Sequence, residues 1–121
     1  MSKRSSPAGV NLPELLERVD NDRDLLCELI GIFKEDFPRL LEALRRSVAD
    51  EDLKAVEAKS HALKGMLLGL SVTRAAAIAA RLEQMGREGR TLGLAETLAL
   101  LESEVADLLP ELDGIATESE P

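Results

Sequence analysis

Ala55-Val56-Glu57-Ala58-Lys59-Ser60-His61-Ala62-Leu63-Lys64-Gly65 carries its apolar residues at helical spacing. Continued through Leu70, the period of 3.6 residues puts Val56, Ser60, Leu63, Leu67 and Leu70 on one side of a helix. That side is mostly apolar and predicts contact with a core. His61, the one histidine among 121 residues, falls on roughly the opposite side, because each residue advances the helical wheel by about 100°. It shares the outward stripe with Lys54, Glu57, Ala58, Lys64, Gly65 and Leu68.

Helical spacing extends to both sides of this stretch. Upstream, Leu26, Leu29, Ile30, Phe33, Phe37, Leu40, Leu41, Leu44 and Val48 keep it over residues 22–49, the longest element. Pro38 removes one backbone donor and crowds the preceding turn, which predicts a kink rather than a stop. Asp50-Glu51-Asp52 makes the turn into a helix over 51–70, with carboxylates at the positive end of its dipole. A short helix over 12–19 precedes these, opened by Asn11 as cap with Pro13 and Glu14 in its first turn. Downstream, Ser71-Val72-Thr73 interrupts. A fourth helix then runs to about 88, with Ala75, Ile78, Ala79, Leu82 and Met85 inward and Arg74, Arg81, Glu83 and Gln84 toward solvent or edges. Gly86-Arg87-Glu88-Gly89 ends it, as glycine commonly does. Leu94, Leu98, Leu101, Val105, Leu108 and Leu112 mark a fifth helix over 92–112, with Pro110 distorting its last turn.

No run alternates with period two, and β-branched residues are sparse. Short loops between long amphipathic helices predict an all-α fold, an antiparallel up-down four-helix bundle with a short additional N-terminal helix. The expected organisation is a disordered lead over 1–9, a helical bundle domain over 10–113 and a flexible acidic tail over 114–121.

Composition narrows the functions available. Twenty-three acidic residues against 15 basic give a net charge of −8. A nucleic-acid binder needs a concentrated basic face, and anionic lipid would repel such a chain. No apolar run reaches the ~20 residues of a membrane span. Met1-Ser2-Lys3-Arg4-Ser5-Ser6 has no apolar segment behind its charges, so no secretory signal is read there. The single cysteine, Cys27, makes neither an internal disulfide nor a cysteine-based metal site, and the cytoplasm is the expected compartment.

Enzyme motifs are sparse. No phosphate-binding GxxxxGK[ST] or dinucleotide-binding GxGxxG stretch is present, nor an HExxH, EF-hand or GxSxG spacing. No metal site is therefore predicted. What stands out is His61. Neutral imidazole, with a reference pKa of about 6.5, offers a nucleophilic nitrogen without a separate base. Lys64, one turn on, can pair with negative charge arriving at the ring. Gly65 leaves the approach uncrowded, although glycine costs a helix interior about 1 kcal/mol relative to alanine. Leu68 would be wasted on an outward stripe with no partner. Together Ala58, Ala62, Gly65 and Leu68 read as a small-residue docking patch around a nucleophile. A lone surface histidine is inert in most proteins; the conjunction on one stripe is what argues otherwise.

Ser60-His61-Ala62-Leu63-Lys64-Gly65 matches the H-x-L-K-G core of the histidine phosphotransfer (HPt) domains of two-component phosphorelays, and the chain resembles that family over residues 10–112. Asp22-Arg23-Asp24-Leu25-Leu26 through Phe33, and Asp36-Phe37-Pro38-Arg39-Leu40-Leu41 through Leu44, look like its first bundle helix, and Arg81-Leu82-Glu83 resembles the facing helix. The resemblance implies a phosphorelay intermediate without its own kinase or ATP site. His61 would accept a phosphoryl group from a receiver-domain aspartyl phosphate and pass it to another receiver aspartate. Lys64 would be the phosphate-side cation, Gly65 the clearance for docking, and Glu83 or Gln84 would orient the imidazole. Partners would be response-regulator receivers or a hybrid sensor histidine kinase, with Mg²⁺ held by the receiver and no cofactor on this chain. Two departures are visible. Met66-Leu67-Leu68-Gly69-Leu70 stands where relatives follow the glycine with small residues, and Glu83 stands where some have glutamine. The alternatives are a non-phosphorylated helical adaptor and the phosphotransfer segment of a chemotaxis-type kinase.

Overall fold

The computed structural model describes residues 9–118. It contains five helices: α1 (Leu12–Arg18), α2 (Arg23–Ala49), α3 (Leu53–Gly69), α4 (Thr73–Glu88) and α5 (Leu94–Glu118). Among the described residues the one β feature is an isolated bridge between Val10 and Val72. The all-helical class follows from the apolar periodicity. α2 packs against α3 and α5, and α4 packs against the same two helices.

Side chains that prefer cap positions start three of the helices. Asn11 Oδ1 accepts from Glu14 N at 3.1 Å, Asp22 Oδ1 from Leu25 N at 3.0 Å, and Asp52 Oδ1 from Ala55 N at 3.2 Å. Each satisfies an amide that the helix itself leaves unpaired. α2 continues through Pro38, with Phe37 and Leu41 buried on either side of it. Phe33 and Phe37, the chain's two aromatics, stack at 4.5 Å. Leucine, isoleucine, valine, alanine and Met85 fill the rest of the core, from Leu15 of α1 to Leu112 of α5.

Two boundaries depart from the sequence reading. α5 does not stop near 112: it passes Pro110 and reaches Glu118, so 114–118 is helix rather than tail. The cause is the apolar stripe, which extends one turn further than expected and buries Ile115 beside Leu112. Burial on both sides of Pro110 outweighs the loss of one hydrogen bond. Gly9, counted with the lead, is fixed: its carbonyl accepts from Thr73 N at 3.3 Å. Its φ of +80° is a conformation that favours glycine, and a Cβ there would meet Arg74 Cβ at 3.2 Å, a tight contact. Together with Asn11 N donating to Ser71 O at 2.9 Å, this pins the N-terminal segment to the α3–α4 corner. The remaining lead residues, 1–8, and the end of the tail, 119–121, lie outside the described residues.

α3 and α4 approach closely at Gly86. A Cβ placed there would lie 2.7 Å from Glu57 N and 2.8 Å from Leu53 O, both backbone atoms of α3. Gly86, read from sequence as part of a terminator, is thus a packing residue. The termination belongs to Gly89, which caps α4 in the left-handed conformation at φ +71°. This contact sets the distance across which α4 side chains reach those of α3.

Candidate functional site

His61 lies in the middle of α3 with its side chain 67% exposed. Leu63 and Leu67 anchor the opposite face of the helix in the core and turn the ring outward. Opposite it on α4, Glu83 is covered, with its side chain only 8% exposed. The sequence reading left Glu83 available to solvent or edges; the structure covers it. Its carboxylate is covered because three basic groups converge on it. Oε2 lies 2.9 Å from His61 Nδ1, Oε1 2.7 Å from Lys64 Nζ, and Oε2 also 3.0 Å from Arg87 Nη2.

The hydrogen bond to Lys64, with the one to His61 assisting, holds the Glu83 carboxyl below its ordinary value, against the opposing effect of burial. Glu83 is therefore an anion that only accepts hydrogen bonds. A neutral imidazole facing it must donate from Nδ1, which leaves the lone pair on Nε2. The two ring nitrogens point apart, so Nε2 is turned away from Glu83.

Gln84, the other candidate for orienting the ring, is placed elsewhere. Its amide nitrogen donates to Glu88 Oε2 at 2.6 Å and its oxygen accepts from Arg87 Nη1 at 3.2 Å. One residue along a helix turns a side chain by about 100°, so adjacent positions cannot face the same target. The structure brings Glu83 to the ring and leaves Gln84 on the exposed side of α4.

Lys64 is not a loose surface cation in this arrangement; its ammonium is held by Glu83 and its side chain is 29% exposed. Around Gly65 there is open space: a Cβ there meets no heavy atom within 4 Å. Nothing in the chain's own packing calls for glycine at 65, in contrast to Gly86. Ala58, Ala62 and Leu68 are exposed on the same stripe, Leu68 at 42%. One to two turns beyond His61, Leu29, Ile32 and Phe33 of α2 with Met66 and Gly69 of α3 and Leu70 line an open apolar hollow of about 170 Å³. Ile32 at its edge is 55% exposed.

Arg87 escaped the sequence reading as a site residue. Its Nε donates to Glu57 Oε2 at 3.0 Å, so one guanidinium joins α3 to Glu83 of α4. Its spacing of four from Glu83 was a usable signal, since such pairs share a helix face. Among the described residues no group of three or more His, Cys, Asp or Glu is arranged to hold a metal ion. No described helix is long and apolar enough to cross a membrane.

The site thus sets one exposed histidine of a helical domain against a covered carboxylate and a lysine. The family model described as the Hpt domain matches residues 28–113, and the chain belongs to that family. Hpt domains are phosphocarrier modules of two-component signalling rather than kinases, and they work with receiver domains and histidine kinases. No curated protein and no solved structure matches the chain.

Proposed function

We propose that this chain is a phosphorelay intermediate whose phosphoacceptor is His61. The packing of α2 and α4 against α3 and α5 is read as an antiparallel up-down four-helix bundle that presents α3. The Nε2 lone pair attacks the phosphorus of a receiver's aspartyl phosphate. A new N–P bond forms as the P–O bond to the aspartate breaks, its electron pair leaving with the carboxylate. The ring, phosphorylated at Nε2 and still protonated at Nδ1, gains positive charge beside Glu83. That anion stabilises it without rearrangement. Lys64 meets the phosphoryl oxygens, Gly65 leaves room for the partner, and Mg²⁺ is supplied by the receiver. The reverse sequence delivers the group to a second receiver. We place this chemistry in the cytoplasm, with which one free cysteine is compatible.

Docking uses the stripe Ala58, Ala62 and Leu68 together with the apolar hollow beside it. The observation that carries the reading is the 2.9 Å contact of His61 Nδ1 with Glu83, which leaves Nε2 as the free nucleophile.

Incubation with a phosphorylated receiver domain tests it. Wild type is expected to acquire acid-labile, alkali-stable phosphate, and His61→Gln to acquire none. Transfer that survives His61→Gln would sink the assignment. Receiver binding without transfer to wild type would make the chain an adaptor.

A further inference from the structure

Glu83 has one more cation than the chemistry at His61 uses. We infer that Arg87 is a positioning residue that keeps Glu83 paired when Lys64 leaves it for the phosphoryl group. This rests on His61 being the phosphoacceptor.

In the resting arrangement Lys64 Nζ sits on Glu83 Oε1 at 2.7 Å, on the Nδ1 side of the imidazole. A phosphoryl group on Nε2 would lie on the other side of the ring. To meet its oxygens, Lys64 must swing away from Glu83. Without Arg87, a covered carboxylate that loses its ammonium would be left with the ring N–H alone, and removing one partner of a covered ion pair is costly. Arg87 offsets that cost. Its Nη2 is already 3.0 Å from Glu83 Oε2, the oxygen that Lys64 does not occupy. Its Nε is 3.0 Å from Glu57 Oε2, one turn before His61 on α3. The guanidinium is held from both helices in a fork geometry suited to two carboxylates, and it need not move when Lys64 does. With Arg87 in place, Lys64 exchanges Glu83 for phosphate; without it, Glu83 retains Lys64.

The test is a double-mutant cycle on the rate of transfer from a phosphorylated receiver at saturating concentration. Arg87→Gln is expected to slow transfer about tenfold, and Arg87→Lys to recover most of it. Lys64→Ala slows the wild type by a similar factor, about tenfold, but adds less than about threefold to Arg87→Gln, because there Lys64 is already withheld. Glu57→Gln, which takes the charge from the α3 anchor and leaves Glu83 untouched, slows transfer by less than Arg87→Gln and serves if that variant folds poorly. Full multiplication of the Lys64 and Arg87 effects would overturn the inference, since it would make Arg87 an independent charge. So would wild-type rates in both Arg87→Gln and Glu57→Gln. A wild type that takes no phosphate overturns the phosphoacceptor reading and this inference with it.

Discussion

Glu83 shows how much one carboxylate sets in this site. Its ionised state fixes the imidazole tautomer, parks Lys64 and receives Arg87. Its pKa in the folded chain lies below the ordinary 4.5, chiefly through Lys64. A group depressed in this way contributes stability above its unfolded pKa, and the contribution is lost as the pH falls through the lower folded value. Wild type should therefore lose stability below pH 4.5, and Glu83→Gln, which has no proton to take up, should lose less over the same range. Urea midpoints measured from pH 7 to pH 3 check this, and parallel curves for the two proteins would refute it. At pH 7 the same substitution keeps a hydrogen-bond acceptor near Nδ1 but removes its charge, and transfer should slow about tenfold. The candidate pair at 83 and 84 was legible in the sequence, but not the choice between them. That depends on the rotation of α4 about its axis, which the alanine runs Ala75-Ala76-Ala77 and Ala79-Ala80 leave loosely specified.

Among the elements, the α3–α4 seam positions the site, and it is the feature least visible in the chain's periodicity. Apolar spacing located all five helices and most of the buried positions, because a core-facing stripe is a strong signal. It carried no information about how near two helices come. Gly86 decides that distance here. Small residues continue the seam: Ala75, Ala76 and Ala79 of α4 are buried, as is Ser60 of α3. Ser60 Oγ has no hydrogen-bond partner among the described residues. Its presence is reasonable where size matters more than polarity. The two glycines of the site region then separate by experiment. Gly86→Ala must push apart backbone atoms at 2.7 and 2.8 Å, and overpacking of this kind costs about 1–3 kcal/mol. Better helix propensity returns at most about 1 kcal/mol of it. Gly65→Ala enters open space, so propensity alone acts and stability should rise by about 0.5–1 kcal/mol. Thermal or denaturant unfolding of both variants measures the contrast. Equal effects would show that Gly65 is held by the fold and not by what docks on it.

For the whole molecule the question is how an acidic protein, with net charge −8, engages a partner that carries a phosphoryl group. Long-range attraction of that group is unavailable to such a chain, so contact must come from surface that fits at short range. The apolar side chains left exposed are suited to this. Leu25 and Ile32 on α2 and Leu68 on α3 are all exposed, and Leu29 and Phe33 form the floor of the hollow with Met66. The sequence showed Leu68 as an outward oddity; it could not show the hollow that α2 forms with α3, because that needs the packing of α2 on α3. The hollow shares no lining residue with the His61–Glu83–Lys64–Arg87 cluster, so the two should fail in different ways. Ile32→Glu and Leu68→Ser remove apolar surface where a partner's side chains would land, while the core and the cluster keep their contacts. Each is expected to raise the receiver concentration giving half-maximal transfer by about tenfold or more, a loss typical of a central apolar contact, with the saturated rate within about twofold of wild type. Lys64→Ala and Glu83→Gln should do the reverse, lowering the saturated rate with little change in half-saturation. Transfer kinetics across a range of phosphorylated-receiver concentrations separate the two patterns. If Ile32→Glu lowered the saturated rate and left half-saturation alone, the α2 side of the hollow would lie outside the docking surface, and the partner would contact the α3 stripe alone.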